Sequence, residues 1–238
     1  MSLYRDEGIV LRTWKLGEAD NIVNLMTRGH GKVRAVAKGV RKTKSRFGAR
    51  LEPTTHVALL LYEGRELDII TQVEAIDHFR SIRADLDRIA RASAMLEAVD
   101  QLTQERQANP RLHALLLGAL RALEANAAPL VVPGFFLKLL ALEGFRPVVS
   151  GCASCGTESD LVAFDVEEGG LLCRAHRRGH AVSPEAVALL RLVLGGRLGA
   201  ALNEPASSAT GEVEHLAIDA LEHHLERRLR SVTLLDRG

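Results

Sequence analysis

The chain has 238 residues, 47% apolar and 26% charged, the balance of a globular protein rather than of a disordered or fibrous one. No apolar run approaches the ~18 residues of a membrane span. The N-terminal Met1-Ser2-Leu3-Tyr4-Arg5-Asp6-Glu7 has no signal-peptide stretch, so a cytoplasmic protein is expected. The net charge of +1 hides an asymmetry: residues 1–80 hold 14 Lys/Arg against 10 Asp/Glu, and the remainder holds 17 against 20. Three cysteines, two of them at C-x-x-C spacing, suit a metal site better than a disulfide framework.

In chain order, Glu7–Leu16 and Asn21–Thr27 read as strands joined by a turn at Gly17. The turn Arg28-Gly29-His30-Gly31 leads into a third strand, Lys32–Ala37, and a basic segment runs from Lys38 to Arg50. Strands at 55–62 and 66–74 follow, around the turn Glu63-Gly64-Arg65. Five short strands with a basic excursion after the third predict a small barrel; an OB-fold fits, and strand count alone also fits an SH3-like barrel. From about residue 82 the period becomes helical. One long amphipathic segment from Ile82 to Leu102 is expected, then Leu112–Glu124 after Asn109-Pro110, and Gly134–Glu143 stopped by Gly144. Ser183-Pro184-Glu185 is a strong helix start for a segment ending at Gly195-Gly196, and a last helix is expected over about 211–230. Asn203–Gly211 is linker-like. The expected organisation is an OB-fold domain at 1–80, a helical domain at 81–149 and 181–238, and a metal knuckle inserted at 150–180.

Between Asn21 and Leu51 stand nine cations and no acid: Arg28, Lys32, Arg34, Lys38, Arg41, Lys42, Lys44, Arg46 and Arg50. Such a block repels itself until an anionic partner neutralises it. Strand parity puts Lys32 and Arg34 on one face, and the following loop extends it, so a nucleic-acid backbone is the natural ligand. About five phosphate contacts on a single strand give a salt slope of roughly −3.5. Phe47 lies among these charges, where it either stacks on a base or plugs the barrel end. Trp14 and Tyr62, on strands, suit core packing. A solvated loop is the plainer alternative for the whole segment.

Cys152-x-x-Cys155, 17 residues, then Cys173-x-x-His176 is the strongest local pattern. Each pair forms a knuckle, and the intervening loop has the length of a hairpin that brings them together. Thiolates with imidazole favour tetrahedral zinc, and four protein ligands leave no open position, so the site is structural rather than catalytic. His180 is the alternative fourth ligand. No P-loop, dinucleotide fingerprint, nucleophile elbow or H-E-x-x-H motif occurs, and no deaminase signature precedes the cysteines. His215, His223 and His224 on the terminal helix read as solvent-facing, and Arg227, Arg228 and Arg230 as partners of a helix dipole.

With these parts placed, the chain resembles the RecO family of bacterial recombination mediators. The resemblance rests on Glu7-Gly8-Ile9-Val10-Leu11, Gly17-Glu18-Ala19-Asp20-Asn21-Ile22-Val23, Thr27, Gly31-Lys32, Ala37-Lys38-Gly39-Val40-Arg41-Lys42 and Leu51-Glu52-Pro53. Phe136-Leu137-Lys138-Leu139-Leu140, Glu143-Gly144-Phe145 and Pro147 extend it into the cysteine pairs. It implies an OB-fold, a helical bundle and a zinc knuckle, with no enzymatic activity. It further implies binding of single-stranded and double-stranded DNA, annealing of complementary strands, and help to RecA in replacing single-strand-binding protein. The implied partners are RecR and the acidic C-terminal tail of single-strand-binding protein. For that tail Lys138 and Arg121 are candidates only. Many members carry four cysteines; His176 at the fourth place implies a more pH-sensitive metal site. The competing reading is a zinc-knuckle protein–protein adaptor without intrinsic DNA binding; a zinc hydrolase is disfavoured by the closed ligand set.

Overall fold

The computed structural model describes residues 2–42, 45 and 47–232. The chain divides into two compact units, one spanning residues 1–124 and the other beginning at Ala125.

The first unit opens with a closed barrel of five strands: β1 (Leu3–Leu16), β2 (Asp20–Thr27), β3 (Gly31–Ala37), β4 (His56–Tyr62) and β5 (Asp68–Asp77), in spatial order β1-β2-β3-β5-β4. β1 is long because it serves two neighbours. Its first half pairs with β4 (Leu3↔Tyr62 to Ile9↔His56) and its second with β2 (Gly8↔Thr27 to Leu16↔Asp20). A register shift between Val10 and Arg12 bends it from one partnership to the other, as closure requires. The parallel pairing of β3 with β5, Ala35↔Asp68 and Val36↔Ile69, closes the ring in the OB-like order and leaves the barrel without an open edge. Alternation fills the interior: Val23, Leu25, Val33, Ala35, Ala37, Val57, Leu59, Leu61 and Ile70 form one core. Phe47 and Leu51, from the 3-10 turn Gly48–Leu51 and the residue before it, join that core.

The single helix expected from Ile82 is two. Helix α1 (Arg80–Arg83) stops at Ala84, and Asp85, in extended conformation, restarts the chain as α2 (Leu86–Leu102) by accepting from the Arg88 N–H. This break rotates the buried face. Leu86 is 84% exposed, while Ala90, Ala94, Met95, Ala98 and Val99 are buried. Helix α3 (Pro110–Ala125) completes the unit; Asn109 caps it through the Leu112 N–H.

In the second unit α4 (Val131–Leu142) starts three residues before its expected boundary, because Pro133 falls in the first turn where no intrahelical N–H is lost. It is apolar around nearly its whole circumference and packs on α5 (Pro184–Leu194) and α7 (Ser208–Leu225). A short α6 (Leu198–Ala201) separates the latter two. The stretch read as a linker contains the start of α7, where Ser207 and Thr210 form a reciprocal capping box. At the other end Glu226 adopts a left-handed conformation (φ 53°) and stops α7 short of its expected length. Between α4 and α5 lies a small sheet of β6 (Leu161–Asp165), β7 (Gly170–Cys173) and β8 (His180–Ala181), in order β7-β6-β8.

Candidate nucleic-acid surface and metal centre

At one end of the barrel the β1–β2 turn and the turn after β3 are tied together. The Arg41 N–H donates to the Ala19 carbonyl at 3.0 Å and its guanidinium to the Gly17 carbonyl at 3.0 Å, while the Gly39 N–H donates to Asp20 at 2.7 Å. Gly39 is left-handed (φ 68°), which turns the chain back toward the barrel as soon as β3 ends. Lys38, Arg41 and Lys42 are exposed here, beside Arg12 and Lys15 on the outgoing end of β1.

Trp14, expected in the core, stands on the outer face and is half-buried, because the β1 bulge changes the parity of the strand beyond Val10. The guanidinium carbons of Arg12 and Arg34 lie 5.7 and 5.9 Å from its ring centroid. Sequence alternation, read without the bulge, could not separate Trp14 from the interior residues, and Arg12 was missed for the same reason.

The nine cations do not share one environment. Lys32 and Arg34 lie on one outer face, as parity requires, but that face meets α2 and the segment after it. The Lys32 ammonium donates to the Asp100 carbonyl at 2.6 Å, lies 3.7 Å from its carboxylate, and is 12% exposed. Arg34 pairs with Glu105 at 3.4 Å and stays partly open. Arg50 is exposed on the 3-10 turn, its guanidinium donating to the Phe47 carbonyl at 3.2 Å, and Arg28 is exposed in the β2–β3 turn. Phe47 is 1% exposed, so of its two readings the structure places it as the plug of the barrel; burying such a ring stabilises by about 1.5–3 kcal/mol. Lys44 and Arg46 lie outside the described residues. Arg121 is exposed on α3 of the first unit and Lys138 half-buried on α4 of the second.

In the second unit the hairpin β6–β7 brings the cysteine pairs together. Gly170 admits this: a Cβ there would stand 2.4 Å from the Val148 carbonyl oxygen, and that close approach lets the Leu171 N–H reach the same oxygen at 2.9 Å. The first knuckle is wrapped by Gly156 N–H to Cys152 carbonyl (2.8 Å) and Cys152 N–H to Thr157 carbonyl (2.7 Å), with Gly156 left-handed at φ 79°. The 3-10 turn Arg174–His176 carries the second. The ligand atoms of Cys152, Cys155, Cys173 and His176 all lie within 4.8 Å of one another. Cys155 and Cys173 sulfurs are 3.8 Å apart, and His176 Nδ1 is 3.3 Å from Cys173 and 3.9 Å from Cys152.

Tetrahedral ligands at about 2.3 Å from an ion stand roughly 3.8 Å from each other, close to these three separations, so the donor set fits a metal ion. Burial opposes ionisation of Cys152 and Cys173, but backbone N–H groups aimed at their sulfurs outweigh it and hold both thiols below their ordinary range. At Cys155 the Thr157 N–H favours the thiolate, yet desolvation and the two neighbouring sulfurs push the thiol up, a repulsion that a cation among them reverses. His180 lies in a different cluster, with His215 and Asp219.

Two family models account for nearly all of the chain. "Recombination protein O N terminal" matches residues 1–79, the barrel with its basic turn, and "Recombination protein O C terminal" matches residues 83–233, the helices with the cysteine cluster. Among the described residues no helix is long and apolar enough to cross a membrane. The barrel order, the four-ligand cluster and both matched segments agree, and the chain belongs to the Recombination protein O family of DNA repair and recombination mediators.

Proposed function

We propose that the chain binds single-stranded and double-stranded DNA through the tied turns at the end of its barrel, anneals complementary strands, and helps a recombinase replace single-strand-binding protein. The observation that carries this reading is the junction of the two turns, which gathers Lys15, Lys38, Arg41 and Lys42 at one barrel end with Arg12 and Trp14 adjoining. Cations carried on turns that are already hydrogen-bonded to each other can neutralise phosphates with less ordering of a loop at the moment of binding. Two strands neutralised together repel each other less, which is what annealing requires; no covalent step is involved. Trp14, half-open between two guanidiniums, offers a stacking face at the same surface. Lys32, held by Asp100, contributes to fixing the fold rather than to the DNA surface.

The metal is zinc, and its role is structural: three thiolates and one imidazole complete a tetrahedron and leave no position for a substrate. RecR and the acidic tail of single-strand-binding protein are the partners this reading brings with it, at the nucleoid in the cytoplasm.

The test is a salt titration of single-strand affinity for the wild type and for the combined Lys38→Gln, Arg41→Gln, Lys42→Gln variant. Removing three phosphate contacts should flatten the log–log slope by about 2. An unchanged slope would reject the surface. Because Arg34 and Lys32 are engaged by carboxylates, a protein–protein adaptor remains the competing reading. An annealing assay with complementary oligonucleotides, with and without single-strand-binding protein, separates the two, since an adaptor accelerates nothing on its own.

A further inference from the structure

We propose a second metal site in the second unit, formed by His180, His215 and Asp219, which takes a late first-row divalent cation such as Zn2+ or Ni2+ and clamps the knuckle's sheet to α7. His215 and Asp219 stand four residues apart on α7, the spacing that puts two side chains over one another on a helix face. His180 reaches them from β8, which pairs with β6 through Phe164↔His180. Its Nε2 lies 3.1 Å from the Asp219 Oδ2, and the His215 Nε2 lies 3.3 Å from the same oxygen. The two imidazoles meet edge to face with centroids 5.2 Å apart. Ligands at about 2.0–2.1 Å around a tetrahedral ion are separated by roughly 3.3–3.4 Å; both imidazole–carboxylate separations are near that value, and all three donor atoms lie within 4.8 Å of one another.

The chemistry of the set selects the cation. Two imidazoles and one carboxylate favour zinc, nickel or copper over the oxygen-seeking calcium and magnesium. Unlike the cysteine cluster, this one provides three protein ligands and is half open to solvent, His180 being 48% and His215 64% exposed, so water completes the shell.

The backbone prepares the clamp. Beyond His180 the Ser183 N–H donates to Glu212 of α7 at 2.8 Å, and the Val182 N–H to the Val162 carbonyl at 3.0 Å. Positions 212, 215 and 219 thus present one face of α7 to the segment 180–183. A bound ion would add a cross-link four residues beyond the His176 ligand and couple the two metal centres through one short segment.

The decisive measurement is metal stoichiometry by equilibrium dialysis of the untagged full chain against Zn2+ and, separately, Ni2+, after the cysteine site has been filled with zinc. Wild type should take up a further equivalent, and the His180→Ala, His215→Ala double variant should keep the cysteine-bound zinc and lose that equivalent. The retained zinc reports that the variant is folded. One equivalent of Cu2+ added to the zinc-filled wild type should give an electron paramagnetic resonance spectrum showing coordination by two imidazole nitrogens, a signature the equally zinc-filled variant should lack. Wild type holding only the cysteine-bound ion, or a further equivalent surviving in the double variant, would overturn the site. The DNA salt titration is unaffected by either result.

Discussion

At the residue scale the most constrained group in the barrel is Asp68, fully buried at the start of β5. Its carboxylate accepts from the Arg106 guanidinium at 2.6 Å, from the Gly64 N–H at 3.0 Å and from the Tyr4 hydroxyl. Burial, then this bond to Asp68, pushes the Tyr4 phenol far above its ordinary range, so it stays a donor at any working pH. Arg106 carries the only full positive charge in this network and arrives from the segment that follows α2. Removing it leaves a buried carboxylate with neutral donors alone. Because Arg106 is itself 43% exposed, solvent screens part of the interaction; Arg106→Ala should cost about 1–3 kcal/mol, read as a shift in the urea midpoint at unchanged slope. Arg106→Lys should recover part of that loss. A midpoint identical to wild type would show that Tyr4 and Gly64 suffice. None of this was legible beforehand: Asp68 and Arg106 are separated by 38 residues, and neither belongs to a motif.

At the scale of elements, the barrel meets the first helices through a pair of buried histidines, His56 on β4 and His113 on α3, whose rings lie 5.9 Å apart. His56 Nε2 contacts Glu7 of β1 at 2.8 Å, while His56 Nδ1 and His113 Nε2 have no hydrogen-bond partner among the described residues. Desolvation holds both imidazoles below their ordinary pKa, outweighing Glu7 at His56; at His113 the neighbouring His56 adds to it. A depressed folded-state value means the unfolded chain takes up protons first as pH falls. Stability should therefore decline from about pH 6.5 downward until the folded-state values are passed. Unfolding free energies measured between pH 7.5 and 5 should fall, and His113→Gln should flatten the profile; an equally steep profile in that variant would exclude the histidine pair as its cause. The elements themselves were legible where one rule acted alone. Alternation found the strands and Ser183-Pro184 the start of α5. It failed where a second rule intervened: the Asp85 cap divides a continuous apolar pattern, and the β1 bulge turns Trp14 outward.

At the scale of the molecule, two compact units each enclose a structure that the sequence announced in a different way. The cluster of Cys152, Cys155, Cys173 and His176 was legible from spacing, with His180 as the alternative fourth member, because both knuckles are local and only the hairpin between them had to close. The proposed DNA surface was legible only as a segment, since α2 and its following loop claim Lys32 and Arg34 through Asp100 and Glu105. This difference would give a bound metal a defined reach. The first knuckle is held by backbone bonds from Cys152 to Thr157, Gly156 to Cys152 and Ala153 to Leu171, and an ion bound among the four side chains would add a cross-link to the second knuckle. The barrel closes through its own β1–β4 and β3–β5 pairs around its own core. Stripping the metal with a chelator should therefore speed amide hydrogen exchange across residues 151–157 and 170–176 and leave exchange in β1–β5 at its holo rate. Cys155→Ser should do the same without chelator. Parallel loss of protection in the barrel strands would mean that the ion supports the whole chain, and that the two units do not fold on separate terms.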